Sequence, residues 1–324
     1  EGNKNFLDRK EGTVVGKDPA VGQDGGAEGE LIKKTYNYTT ELSKIVKNNT
    51  VLNAAKLNDS LIKIVNDKPH ELFKVLLNNN FDKFEDDLGK IWLIRPTENY
   101  KRISISSERL AMPELGESLF LSALNELLTL DSDWVKPGIG NSVYIRPFVF
   151  GSEHCIAASP SRKYKFMIIL SPVQSYYTGS LKVLVAEKYS RAANGGVGFA
   201  KAAGNYAAQF YPTSEALKKG FQQIIWTDAN NHEYLEEAGT MNIFFKINDS
   251  LITAPTNDRI LDGVTRKSII EIAKSNDIKV EERPIKISEI IQAHENGNLQ
   301  EIFGTGTAVV VLPIKSFSYR GVSY

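Results

Sequence analysis

Arg191-Ala-Ala-Asn-Gly-Gly-Val-Gly-Phe-Ala-Lys201-Ala-Ala-Gly-Asn-Tyr206 is the stretch that decides how the rest of this chain is read. One lysine and one tyrosine stand in a run of glycine and alanine, so the backbone can approach a bulky ligand while the lysine side chain reaches it. An amine is nucleophilic only when neutral, and burial beside other positive charge is the usual route to that state; Schiff-base chemistry suits such a lysine. A nucleotide reading fails on spacing, because Gly196-x-Gly198 lacks the third glycine of a dinucleotide fingerprint and no Gly-Lys-Ser/Thr occurs. Taken alone, the segment is explained equally well as a tight loop with a surface lysine.

Three downstream segments carry complementary chemistry. In Glu236-Glu237-Ala-Gly-Thr240-Met-Asn-Ile-Phe a carboxylate precedes a glycine turn that leads into a strand. A carboxylate beside a pyridine nitrogen keeps that nitrogen protonated and the ring an electron sink, a role open to Glu237. Its plain alternative is a solvated turn glutamate. Ile260-Leu-Asp-Gly263-Val264-Thr265-Arg266 leads into a helix whose first amides would attract an anion. Gly304-Thr305-Gly306-Thr307-Ala308 combines small residues and hydroxyls ahead of a strand. Capping and turn formation account for each of these two segments taken singly.

Around these segments the texture is that of a mixed α/β enzyme. Strands are predicted at 91–94, 143–149, 164–171, 181–186, 222–226, 242–247 and 308–312, and helices at 117–130 and 265–275. Phe210 and Tyr211 are expected in the core of a helix after the lysine loop. Residues 1–30 are glycine-rich and charged and are expected to be disordered. Residues 40–84 place apolar side chains at helical spacing and suggest a small helical module. The chain opens at Glu1 with no signal-peptide pattern, which fits a fragment or a processed chain.

Composition narrows the function classes. Lysine plus arginine and aspartate plus glutamate both count 39, which gives no electrostatic case for a nucleic-acid or membrane surface. The longest apolar runs are strand-sized, far short of the roughly 20 residues that cross a bilayer. A single cysteine, Cys155, excludes an intramolecular disulfide framework and fits a reducing, cytoplasmic setting. His154 beside Cys155 suggests no catalytic dyad, since sequence neighbours seldom have the geometry. His70, His232 and His294 lack metal-ligand spacing, so no metal is expected.

Taken together and in order, the lysine, glutamate, Ile260–Ser268 and Glu301–Ala308 segments resemble the signature segments of branched-chain aminotransferases, which are fold-type IV enzymes dependent on pyridoxal 5'-phosphate (PLP). Ile91-Trp-Leu-Ile-Arg-Pro-Thr-Glu-Asn-Tyr-Lys-Arg102, Leu110-Ala-Met-Pro, Tyr144-Ile-Arg146-Pro and Ser171-Pro-Val-Gln-Ser-Tyr176 are similar to the same family, so the resemblance runs from Asp86 to Tyr324. It implies a mixed α/β (α+β), two-domain architecture: an unmatched segment at 1–85, a small α/β domain at 86–175, and a PLP-binding domain at 176–324 that ends earlier than in the family. It also implies a homodimer acting on small-molecule amino acids and 2-oxo acids.

Carried over by position, the resemblance makes Lys201 the cofactor lysine and the carrier of the Cα proton. Tyr206 would meet the phenolic oxygen of PLP and Glu237 its pyridine nitrogen. Arg102, Val264, Thr265 and Thr307 would hold the phosphate. Tyr144, Arg146, Tyr176, Thr240 and Ala308 would lie on the substrate side. The expected reaction moves the amino group of leucine, isoleucine or valine to 2-oxoglutarate. A D-amino-acid aminotransferase or aminodeoxychorismate lyase of the same fold is the near alternative, and a catalytically impaired PLP-fold fusion protein the distant one. The last draws on a departure: the family's His-Tyr-Gly and Phe-Glu-Gly segments, whose aromatics line the side-chain pocket, do not occur in Glu1–Lys90.

Overall fold

The computed structural model describes residues 83–85, 91–135, 142–173 and 181–324. The disorder expected for 1–30 and nearly all of the helical module expected for 40–84 lie outside the described residues, as does Tyr176. One boundary is corrected: Lys83 and Phe84 belong to a strand, β1 (Lys83–Glu85), which pairs antiparallel with β2 (Ile91–Leu93) in the register Phe84 to Trp92. Backbone pairing across a short connection overrides the helical spacing there.

Helix α1 (Pro96–Arg109) starts with a proline at its first turn, where no backbone donor is needed. Helix α2 (Glu117–Leu130) follows; its residues 122–130 and the next two residues fall in one compact unit, and the other described residues in a second. In the second unit β3 (Ser142–Gly151) and β4 (Tyr164–Val173) form an antiparallel ribbon.

The remaining elements are β5 (Leu181–Val185), α3 (Ala203–Lys218), β6 (Gln223–Thr227), β7 (Leu235–Ala238), β8 (Met241–Ile247), β9 (Ser250–Thr253), α4 (Val264–Ser275), β10 (Lys279–Glu282), α5 (Ile287–Glu295), β11 (Leu299–Gly306), β12 (Val310–Tyr319) and β13 (Val322–Ser323). Strand β7 pairs with both β6 and β8, so β8, β11, β12, β5, β6 and β7 close on themselves, with β9 and β10 extending outward from β8.

Alternation along β8 shows what this closure does. Met241, Ile243 and Phe245 enter a buried cluster with Val183, Val185, Ile225, Leu235 and Leu312. Phe244 points the other way and packs with Ile269, Ile270 and Ala273 of α4. Each such isoleucine contributes about 1.5–3 kcal/mol on burial. That packing seats α4 on the outer face of β8, the face that also carries Asn242. Helix α3 covers β5 and β6 through Ala216, against Ile224 and Trp226.

Two expectations are corrected. Phe210 and Tyr211 are exposed, at 70% and 61%, because α3 buries the face bearing Asn205, Gln209, Pro212 and Ala216 instead. The strand expected from Ala308 starts at Val310, since Thr307 to Val309 form the turn that reverses β11 into β12 through the Gly306–Val310 pair. Among the described residues no helix is long and apolar enough to cross a membrane.

Candidate active site

The lysine loop runs from β5 into α3 and is fixed by polar side chains buried on either side of it. Asn205, in the first turn of α3, donates through Nδ2 to the carbonyls of Val197 at 2.7 Å and Ala200 at 2.8 Å. The Lys201 amide donates to Ser106 Oγ at 3.0 Å, and that hydroxyl donates to the Arg102 carbonyl at 2.8 Å, tying the loop to α1. Glycine is required at 198, where a Cβ would stand 2.6 Å from the Arg259 carbonyl oxygen. With its backbone held, Lys201 extends into a cleft and donates from Nζ to the Tyr206 hydroxyl at 2.8 Å.

Facing it is Glu237, only 3% exposed, on β7. Its Oε1 accepts from the Leu261 amide at 2.8 Å and from Asn242 Nδ2 at 3.2 Å. Its Oε2 stands 2.9 Å from Arg191 Nε, an ion pair in which both side chains are 4% exposed. Burial pushes the Glu237 carboxyl up to about 7, against the downward pull of the Arg191 guanidinium, the Leu261 amide and the Lys201 ammonium. Neighbouring Glu236 is also raised by burial, and it pairs with Arg259.

The turn between β7 and β8 is Gly239-Thr240, fixed by the Ala238–Met241 pair, and Gly239 takes the positive φ such a hairpin turn needs. Thr240 is thereby placed at the cleft, which is lined by Arg191, Lys201, Tyr206, Gln209, Glu237 and Thr240 among others.

Helix α4 begins next to this cleft. Its N-cap, Gly263, offers no side-chain acceptor to the first amides, and a Cβ there would lie 2.0 Å from Asn242 Oδ1. Across the β8–β11 pairing Asn242 is opposite Thr305, which is 1% exposed with a hydroxyl that has no partner. Uncapped amides, an orphaned hydroxyl and a glycine cradle suit a phosphate. A lysine amine and a buried carboxylate suit the aldehyde and the pyridine nitrogen. The residues present therefore fit PLP.

The structure brings Lys201, Tyr206, Glu237 and Thr240 to one cleft. Val264 and Thr265, both 7% exposed, open α4 three and four residues after Leu261 of the cleft wall. Arg102 lies on α1 one turn before Ser106 and donates to Asn99 Oδ1 at 3.1 Å. Thr307 and Ala308 occupy the turn after β11. Tyr144 and Arg146 share a face of β3, the guanidinium carbon 4.9 Å from the ring centre. Sequence reasoning gave no role to Arg191, Ser106, Asn205 or Asn242. Single-sequence patterns flag polar residues only when the partner is close along the chain, whereas Ser106 holds the Lys201 amide, Arg191 the Arg259 carbonyl and Asn242 the Leu261 carbonyl across long separations.

The sequence model of the family "Amino-transferase class IV" matches residues 83–317. The chain is 46% identical over 236 residues to the probable branched-chain-amino-acid aminotransferase of Staphylococcus aureus, covering 72% of this chain and 66% of that protein. It is 46% identical over 242 residues to branched-chain-amino-acid transaminase 1 of Bacillus subtilis, covering 74% of this chain and 68% of that one. The chain thus spans about two thirds of the length of these relatives. Its fold is similar to a branched-chain amino acid aminotransferase of Escherichia coli, with a TM-score of 0.61 at 24% identity over 73% of this chain and 74% of that one. A branched-chain amino acid aminotransferase from Thermobaculum terrenum in PLP form gives 0.60 at 22% identity, over 72% and 74%.

Proposed function

Because the chain belongs to the class IV aminotransferase family, we propose that it is a branched-chain amino acid aminotransferase that binds PLP at Lys201 and moves the amino group of leucine, isoleucine or valine to 2-oxoglutarate, as a homodimer in the cytoplasm. The observation that carries this reading is the pairing of Lys201 Nζ with Tyr206 at 2.8 Å in a cleft whose other wall holds the buried Glu237. The likeness to the branched-chain aminotransferases of S. aureus and B. subtilis supports the branched-chain class.

Bound PLP supplies an electron sink for the negative charge left at Cα when its proton is removed. Lys201 Nζ takes that proton and returns it, and Tyr206 fixes the amine in place. Glu237 holds the proton on the pyridine nitrogen, a charge-assisted contact shielded from water by its burial. The first amides of α4 at Val264 and Thr265, with Thr307 and Arg102, hold the phosphate. Tyr144, Arg146, Tyr176, Thr240 and Ala308 receive the substrate carboxylate and side chain.

The test is covalent. Borohydride reduction of the full chain loaded with PLP should fix one phosphopyridoxyl group, on the peptide that contains Lys201, and leucine added before reduction should prevent it. Label on another lysine, or none on folded protein with PLP in excess, would refute the proposal.

A further inference from the structure

The site contains one buried cation with no role so far. Arg191 is 8% exposed and stands at the start of the lysine loop. Its Nη2 donates to the Gly198 carbonyl at 3.3 Å and to the Arg259 carbonyl, while its Nε faces Glu237 Oε2 at 2.9 Å with no acceptor in line with the N–H. The guanidinium is therefore clamped by two backbone carbonyls and stands beside the carboxylate as an ion pair.

A second pair runs beside it. Arg259, whose carbonyl holds Arg191, uses its own guanidinium on Glu236 and on Asn194 in the lysine loop. Asp258 accepts from the Gly195 amide, and the Phe199 amide donates to the Asp258 carbonyl at 3.2 Å. The loop that presents Lys201 and the loop that presents Leu261 are thus joined through alternating charges, with Glu236 and Glu237 adjacent on β7. Two carboxylates so close repel each other in a dry setting, and each has one arginine to offset that. Replacing the Glu237 cation would cost more than an ordinary surface pair, since a buried charge left unpaired is strongly disfavoured.

We propose that Arg191 is the positioning residue for Glu237: a guanidinium held by two backbone carbonyls whose charge favours the ionised carboxylate against the pull of burial and keeps it turned to the cleft, so that it can serve a protonated ring nitrogen. The inference rests on the reading of Glu237 given above and adds to it the group that makes that role tenable in a buried site. The charged groups facing Glu237 are Arg191 and Lys201 from the lysine loop and Glu236 on β7, and the Leu261 amide adds a donor.

The experiment titrates Glu237 by its side-chain carbonyl carbon signal in the isotope-labelled full chain, without added PLP, the signal being assigned by its loss in Glu237→Gln. In Arg191→Gln the midpoint should rise by at least about one pH unit, a tenfold loss of acidity, as expected when an opposite charge within about 4–6 Å is removed. In Arg191→Lys, which keeps the charge and loses the fork, the rise should be smaller. An unchanged midpoint in Arg191→Gln, or an equal rise in both variants, would overturn the proposal. Should the variants fail to fold, the parent still decides: the Arg191 Nε signal should move with the Glu237 midpoint near 7, and a signal flat from about pH 5 to 9 overturns the proposal. Because no cofactor is present, failure of PLP to label Lys201 would sink the functional reading alone, and a silent Arg191 would sink this one alone.

Discussion

Replacing Glu237 with glutamine should make the cofactor-free protein more stable at pH 8 while removing its use. Burial raises the Glu237 carboxyl from the ordinary 4.5 to about 7, so between those values the folded chain holds a proton that the unfolded chain has lost. Stability must then fall as pH rises across that window and level off above it. At roughly 1.36 kcal/mol for each pH unit, the loss is about 3 kcal/mol. A glutamine has the shape of the protonated acid and no such titration, and its carbonyl can still accept from the Leu261 amide. Near pH 4.5 the two proteins should be about equally stable, because protonated Glu237 and glutamine both leave Arg191 without a counter-ion. At pH 8 the variant should exceed the parent by about 3 kcal/mol, a stability-for-function exchange typical of active sites. Urea unfolding of both proteins at several pH values, followed through the fluorescence of fully buried Trp226, measures this. Parallel pH dependences in parent and variant, or a variant less stable at pH 8, would refute the reasoning. With PLP bound the order should reverse, and Glu237→Gln should lose roughly ten- to a hundredfold in transamination, the equivalent of one charge-assisted hydrogen bond.

Other outcomes follow from single contacts. Gly198→Ala places a methyl 2.6 Å from the Arg259 carbonyl, and thermal unfolding should show a loss of about 1–3 kcal/mol together with weaker PLP loading. Arg102→Ala should weaken PLP roughly tenfold without abolishing it, since the α4 amides remain; an unchanged titration would remove Arg102 from the phosphate site. Glu98 is held down to about 2 by hydrogen bonds from Lys101 and Lys267. Its contribution is present above the ordinary carboxylate range and is lost as pH falls toward 2, so Glu98→Gln should flatten acid unfolding in that interval.

The parts legible in the sequence were those carried by local pattern. Strands such as Ser142–Gly151 and Met241–Ile247 announced themselves by β-branched and aromatic runs, and α4 by its apolar stripe. Lys201 and Tyr206 were legible because they stand five residues apart in one unusual segment. Closure of the sheet was not legible, because β7 reads as Leu-Glu-Glu-Ala and its two acids mask a fully buried strand. Nor was the exposure of Phe210 and Tyr211, which depends on which face of α3 meets β6.

The glycines show how a pattern read locally can have a distant cause. In the lysine loop, glycine reads as room for a ligand, yet Gly198 is demanded by the carbonyl of Arg259, the same carbonyl that holds Arg191 against Glu237. Gly263 reads as a helix start, yet its missing Cβ makes room for Asn242, which donates to Glu237 and to the Leu261 carbonyl at 2.8 Å. Both absences therefore converge on a single carboxylate. A side chain at either position would act on the cleft by moving a partner of Glu237, and at 198 it would also press on Ala192 of the lysine loop. The small residues of this site accordingly serve the protein's own charge network as much as any bound group, and it is the ionisation of Glu237 that registers their loss.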